Sequence, residues 1–231
     1  MIKLDSVFLK AIILGLLVSN IAFAQKINQL DENGKRTGVW KKKYKNGNIR
    51  YKGQFENGKE VGVFKFYSIR SKSQPTIVKD FSGADGLANV KFYTRHGKLK
   101  SEGKMLGKKR EGKWLYYFLD GHVMSEENFT DNEYNGVVKN YYPNGRLTEE
   151  TYYQHGLKHG TSKIYTESGT LLEALIYDNG KLNGEAKYFD VKGALKEKGM
   201  YKDGKRVGKW EFYIDGQLAK KKKEKLSEFK N

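Results

Sequence analysis

Asn33-Gly34-Lys35-Arg36-Thr37-Gly38-Val39-Trp40 returns near the other end of the chain as Asp203-Gly204-Lys205-Arg206-Val207-Gly208-Lys209-Trp210. The second glycine of this octapeptide marks an internal repeat. Gly38, Gly62, Gly112, Gly136, Gly160, Gly184 and Gly208 are separated by 24, 50, 24, 24, 24 and 24 residues. The long step divides into 26 and 24 with a degenerate copy starting at Ala88, where Ala88-Asn89-Val90-Lys91-Phe92-Tyr93 stands against Gly112-Lys113-Trp114-Leu115-Tyr116-Tyr117. Eight copies result, starting at 38, 62, 88, 112, 136, 160, 184 and 208, the last one truncated. A period of this size belongs to repeat arrays, in which each unit buries its apolar face against its neighbours.

Each copy holds two turn signals. One is Asn46-Gly47, recurring as His96-Gly97, Asp120-Gly121, Asn144-Gly145, Ser168-Gly169 and Asp215-Gly216; the other is Asn33-Gly34, recurring as Asn57-Gly58, Asn179-Gly180 and Asp203-Gly204. Such dipeptides suit the type I′ hairpin turn, which needs positive φ at both central residues. Two turns per repeat leave two strands of ordinary length, and strands joined by tight turns run antiparallel. The expected fold is therefore all-β, an elongated, curved antiparallel meander of about sixteen strands, because strand twist keeps so long a sheet from lying flat.

Counting from the repeat glycine as zero, position +2 holds Trp40, Phe64, Val90, Trp114, Val138, Ser162, Ala186 and Trp210. Position +4 is mostly aromatic or apolar: Phe66, Phe92, Tyr116, Ile164, Tyr188 and Phe212. Side chains alternate along a strand, so these positions share one face and are assigned to the interior. Ile49, Leu99, Val123, Leu147, Leu171 and Leu195 at +11, with Phe55, Phe81, Met105, Phe129, Tyr153, Tyr177 and Tyr201 seven residues before each glycine, are expected to complete the packing.

The ends and one interruption differ from the repeats. Lys3 and Lys10 precede the apolar run 11–18, which closes on Ala22-Phe23-Ala24 before Gln25. This is the layout of a secretory signal peptide over residues 1–24, and the run is short for a spanning helix. An uncleaved anchor is the alternative. The expected location is secreted or periplasmic, with no transmembrane segment after cleavage. Residues 25–218 form the expected repeat domain, with an enlarged loop over 69–86 around Pro75 and a basic tail over 219–231 that opens on Lys220-Lys221-Lys222-Lys223.

The 231 residues include 44 basic and 27 acidic side chains, a formal charge of +17, together with 26 glycines and no cysteine. The missing cysteine excludes a disulfide scaffold, a thiolate metal site, a cysteine nucleophile and a lipid-modified N-terminal cysteine. The 31 aromatic residues (3 Trp, 16 Tyr, 12 Phe) argue against a disordered chain.

The pattern Asn-Gly-Lys-x-x-Gly-x-Trp, followed by Tyr and then Asn-Gly-x-Leu, resembles the MORN-variant repeats of bacterial proteins, and within them the YwqK-type antitoxin family. The resemblance spans about residues 30–218. It implies a β-hairpin repeat fold and a protein-interaction role, in the named family the neutralising of a partner toxin. The better-known MORN motif places a tyrosine two residues before the glycine, and only Tyr134 does so here. Outside the cytoplasm a toxin-neutralising role would be immunity-like.

Two ladders form the candidate binding surface. Position +3 holds Lys41, Lys65, Lys91, Lys139, Lys163 and Lys187, broken by Leu115 and Glu211. Position +5 holds Tyr67, Tyr93, Tyr117, Tyr141, Tyr165 and Tyr213, with Phe189 and Lys43 in the other copies. Both lie on the face opposite +2 and +4, where charge and stacking could hold an acidic polymer. The competing reading is an ordinary half-exposed strand surface, with Glu102, Glu126 and Glu150 pairing the lysines across the sheet.

Nucleic acid satisfies the charge argument but not the secretory context, and none of its known binding motifs is present. His155 and His159 lack the carboxylate or histidine partners of a metal site, so no metal and no cofactor is expected. Neither a Gly-x-Ser-x-Gly elbow nor Gly-x-Gly-x-x-Gly occurs, and the neighbouring pairs Glu126-Glu127 and Glu149-Glu150 point to opposite faces of a strand. The expectation is a non-catalytic binder of a macromolecule, first a protein, with anionic envelope glycan or lipid headgroups as the alternative. The seven repeat glycines are expected to be structural, at the turns that set the frame.

Overall fold

The computed structural model describes residues 26–219, except 72, 84 and 85. The expected leader, and all but the first residue of the expected tail, lie outside the described residues. The described residues hold only strands and connections. The first half comprises β1 (Gln29–Leu30), β2 (Arg36–Lys43), β3 (Ile49–Glu56), β4 (Lys59–Phe66), β5 (Ile77–Asp80), β6 (Ala88–Tyr93), β7 (Leu99–Leu106), β8 (Lys109–Tyr117) and β9 (Val123–Thr130). The second comprises β10 (Glu133–Tyr134), β11 (Gly136–Tyr141), β12 (Leu147–Gln154), β13 (Leu157–Tyr165), β14 (Leu171–Asp178), β15 (Lys181–Leu182), β16 (Gly184–Phe189), β17 (Leu195–Lys202), β18 (Lys205–Ile214) and β19 (Gln217–Leu218).

Apart from two split strands, each strand pairs antiparallel with its predecessor, so the chain forms one open meander, as the turn spacing predicts. β10 and β11 are two halves of one repeat strand, both on β9, and β15 and β16 share β14 in the same way.

The two turn signals turn out to be different turns. Asn57-Gly58, His155-Gly156, Asn179-Gly180, Asp203-Gly204 and Asp215-Gly216 have positive φ at both residues, as type I′ requires. At Asn33-Gly34, Asn46-Gly47, His96-Gly97, Asp120-Gly121, Asn144-Gly145 and Ser168-Gly169 only the glycine does, which corrects the expectation there. These connections are one residue longer: Gly47 N–H reaches Tyr44 C=O at 3.0 Å, and Tyr44 N–H reaches Asn48 C=O at 2.8 Å. A three-residue loop needs the left-handed conformation only at its last position. The preceding Asn or Asp works through its side chain instead: Asn46 Oδ1 accepts from Asn48 N–H, Asp120 Oδ1 from His122 N–H and Asn144 Oδ1 from Arg146 N–H.

The seven repeat glycines also need relocating. All have positive φ, from +59° to +134°, but they stand inside strands rather than in hairpin turns. Lys52 faces Lys65 while Gln54 faces Val61, so β4 spends four residues where β3 spends two. The same step recurs between β7 and β8 and between β17 and β18. Gly62 and its equivalents let the backbone swing through this bulge. In two copies the bulge splits the strand, at Asn135 and Asn183.

The loop expected over 69–86 is also corrected. β5 runs through it as a full member of the meander, paired on both sides. Pro75 sits just before β5, outside the ladder, where its missing N–H costs nothing.

The interior face is the assigned one. Phe64, Val90, Trp114, Val138, Ser162 and Ala186 at +2 are buried, as are Phe55 and Phe129. Their packing depends on position +15 of the preceding copy, which the sequence reading did not single out. A Cβ on Gly53 would stand 2.5 Å from the Phe64 ring, one on Gly103 2.4 Å from Trp114, and one on Gly199 2.3 Å from Trp210. Each large ring therefore lies flat on a bare stretch of neighbouring backbone. Where +2 is small the facing residue is larger: Thr151 meets Ser162, their hydroxyls 2.7 Å apart, and Leu175 precedes Ala186. The sum of the two volumes is kept roughly level along the array, as close packing demands.

Candidate binding surface

On the other face, backbone register draws one line across fifteen strands. Lys41, Lys52, Lys65, Val78, Lys91, Glu102, Leu115, Glu126, Lys139, Glu150, Lys163, Ala174, Lys187, Lys198 and Glu211 are direct partners in succession. All six lysines of the expected ladder fall on it, with Leu115 and Glu211 at the same repeat position; apart from Val78, position +14 supplies the rest.

The middle of the line is charge-balanced. Lys91 Nζ lies 3.0 Å from Glu102 Oε2, and Lys139 Nζ lies 3.2 Å from Glu150 Oε2. Glu126 takes Lys113 at 2.6 Å. The tyrosines join in: Tyr117 Oη donates to Glu102 at 2.6 Å, and Tyr141 Oη to Glu126 at 3.0 Å. The hydrogen bond from Tyr117, then Lys91, hold the Glu102 carboxyl below the usual carboxylate range. Burial and the glutamate it faces push the Tyr117 phenol up to about 12, and Tyr141 likewise. The glutamate pairing weighed from sequence therefore exists in the central copies. Toward the C-terminal end Lys187 bonds Glu185 at 2.8 Å, Lys198 bonds Glu211 at 3.3 Å, and Tyr213 Oη donates to Glu211 at 2.7 Å.

The other tyrosines serve the fold. Tyr67 is 5% exposed, so its ring is not offered to solvent, and its carbonyl accepts the Tyr44 hydroxyl at 2.8 Å. Tyr165 plays the same part for Tyr142 at 3.0 Å, and Tyr93 is half-buried beside them in sequence position.

The N-terminal end is different. Lys41 faces Lys52 and Lys52 faces Lys65, with a lysine at +14 where the central copies carry glutamate. Among the described residues no carboxylate lies within ion-pair distance of the three. Residues 26–67 contain eleven basic against four acidic side chains, whereas 102–150 contain seven against nine. The high net charge is therefore concentrated at one end of the array.

The interior face carries charges too, each held. Arg110 lies 3.7 Å over the Phe129 ring and Arg206 3.9 Å over Trp210; Lys158 sits over Tyr177 at 5.3 Å and Arg36 over Phe55 at 5.1 Å. These cations stand two residues before the repeat glycine, the place where Tyr134 alone keeps the aromatic. They cover the rings a tyrosine would pack on. Their carboxylates are Glu127, Glu149 and Glu197. Glu126 and Glu127, and Glu149 and Glu150, accordingly point to opposite faces, as strand alternation predicts. Of the histidines, His155 takes a turn with φ +50°, and His159 Nδ1 lies 3.4 Å from Asp178.

Residues 36–57, 110–131, 134–155 and 158–179 match the family model described as MORN repeat variant. No curated protein matches the chain. Each matched stretch begins at or next to the cation or tyrosine two residues before the glycine and ends near the following turn, so one match covers one structural unit. Four of its units match the MORN repeat variant, and the chain carries MORN-variant repeats.

Proposed function

We propose that the protein is a non-catalytic binder, acting outside the cytoplasm, which presents the lysine-bearing face of its sheet to an acidic macromolecular partner. The observation that carries this reading is the charge line itself. It is balanced by glutamates in the middle and left unbalanced over Lys41, Lys52 and Lys65. Directly opposed like charges weaken a sheet, so a row of them is stabilised when an anion arrives. The resemblance to antitoxin repeats supports a protein partner, neutralised in an immunity-like way. The free lysines equally suit an acidic envelope polymer.

Affinity capture tests the reading. The immobilised protein is exposed to envelope and secreted extract at low and high salt. Retention of acidic partners, lost from a Lys41→Glu/Lys65→Glu variant, is the expected result. A protein held at both salts supports the immunity form; polymers released at high salt support an electrostatic surface, because exposed charges are screened. Equal capture by the variant refutes the assignment to this face.

A further inference from the structure

Beside the three free lysines the sheet is hollowed. Val39, Lys52, Gly53, Gln54, Val63 and Lys65 line an open basin of about 420 Å³. Gly53 gives only its backbone to the floor, since its bare side faces the Phe64 ring on the opposite face of the sheet, and Val63 is 46% exposed. Adjacent strands lie about 4.8 Å apart, so Lys41, Lys52 and Lys65 stand in a straight file at that spacing, perpendicular to the strands. The site thus combines a line of cations, an apolar floor and one amide side chain.

We propose that this basin binds an acidic polysaccharide, specifically a run of hexuronate residues lying across β2, β3 and β4. The inference rests on the binding function proposed above and names the ligand class at its N-terminal end. The carbon–hydrogen face of a sugar ring fits against Val39 and Val63. Its carboxylates reach the lysines in series, and Gln54 offers a donor and an acceptor to hydroxyls. A linear polymer with one carboxylate per sugar matches a file of charges. A lipid surface presents charge over a plane, and the next lysines on this face, Lys91 and Lys139, are already paired with glutamate.

Lys52→Glu provides the sharpest test, because it installs the residue that the central copies use at this position. The variant is expected to unfold at the same or higher denaturant concentration than the parent, since a carboxylate between Lys41 and Lys65 relieves repulsion. It should bind a galacturonate oligomer roughly tenfold more weakly, which is about 1.4 kcal/mol. Val63→Ser should weaken the oligomer about threefold by removing the apolar floor, while Lys202→Gln, far along the array, leaves it unchanged. A neutral galactose oligomer of equal length should not bind. Unaltered galacturonate binding by Lys52→Glu, or preference for phosphatidylglycerol vesicles or polyglutamate over the oligomer, overturns the proposal. If an acidic protein is captured from extract by Lys41 and Lys65 while galacturonate fails, the ligand class falls and the binding function stands. If neither is held, both fall.

Discussion

Replacing Gly103 by alanine separates two ways in which a glycine can matter. Its new Cβ would stand 2.4 Å from Trp114 Cδ2, 2.5 Å from Cε2 and 2.6 Å from Cγ. The ring cannot yield cheaply, because Trp114 is 2% exposed and its Nε1–H donates to Lys104 C=O at 3.0 Å. Overpacking of this kind costs about 1–3 kcal/mol, and a displaced indole that loses its acceptor adds about 1–3 kcal/mol. The stiffer unfolded chain returns about 0.4–1 kcal/mol, leaving a net loss of roughly 1–5.6 kcal/mol, centred at about 3 kcal/mol. Gly112→Ala is the comparison. That residue has φ +63° and nothing within 4 Å of a built Cβ, so its cost is backbone strain alone, about 1 kcal/mol net. Urea unfolding followed by tryptophan fluorescence measures both. A loss at Gly103 no greater than at Gly112 would sink the account of rings lying on bare backbone. Gly103→Thr/Trp114→Ser, which copies the Thr151–Ser162 pair, should be more stable than Gly103→Thr alone.

Acid should loosen the array through its paired carboxylates. Glu102 is held low by Tyr117 and Lys91, and Glu126 by Lys113 and Tyr141. Their contribution is complete above the unfolded value near 4.5 and is lost as pH falls through the lower folded values. Unfolding midpoints measured from pH 6 downward should drop below about pH 4.5, and Glu102→Gln/Glu126→Gln should flatten that drop. The two turn chemistries predict unequal costs as well. Asn57→Ala, at φ +50°, should lose about 1–2 kcal/mol, and Asn144→Ala, whose φ is ordinary, the bond to Arg146 N–H and the exposed 3.4 Å contacts to Glu167, about 0.5–1.5 kcal/mol; equal losses in thermal unfolding would contradict the assignment.

The meander and its interior face were legible because glycines, Asn-Gly pairs and alternating aromatics repeat at fixed spacing, and spacing survives translation into strands. The turn types were not, because Asn46-Gly47 and Asn57-Gly58 read alike. They differ by one residue in loop length, which only the pairing of the flanking strands fixes. The repeat glycines were recognised as structural but placed at turns, because a bulge and a turn ask for the same positive φ. β5 was missed because Pro75 and the small residues around it outweigh four residues of strand. The lysine ladder was visible at +3, yet its meaning depended on +14 of the facing strand. There Lys52 replaces the Glu102, Glu126 and Glu150 of later copies, and register alone brings those positions together. The size exchange between +15 and +2 left a signal in Gly53, Gly103 and Gly199, each eleven residues before a large ring.

That exchange also bears on how the chain finds its fold. Near-identical neighbouring repeats invite pairing with the wrong copy, a characteristic trap of repeat proteins. Here the mistakes are penalised by shape. A hairpin that skipped one unit would drive Trp114 onto Thr151 instead of Gly103, and would leave a hole over Gly103. Ser162 and Thr151 would each lose a hydroxyl partner in the same event. The alternation of large on bare and small on filled acts as a key cut differently at each joint, so that each copy identifies its own predecessor although the backbones are almost interchangeable.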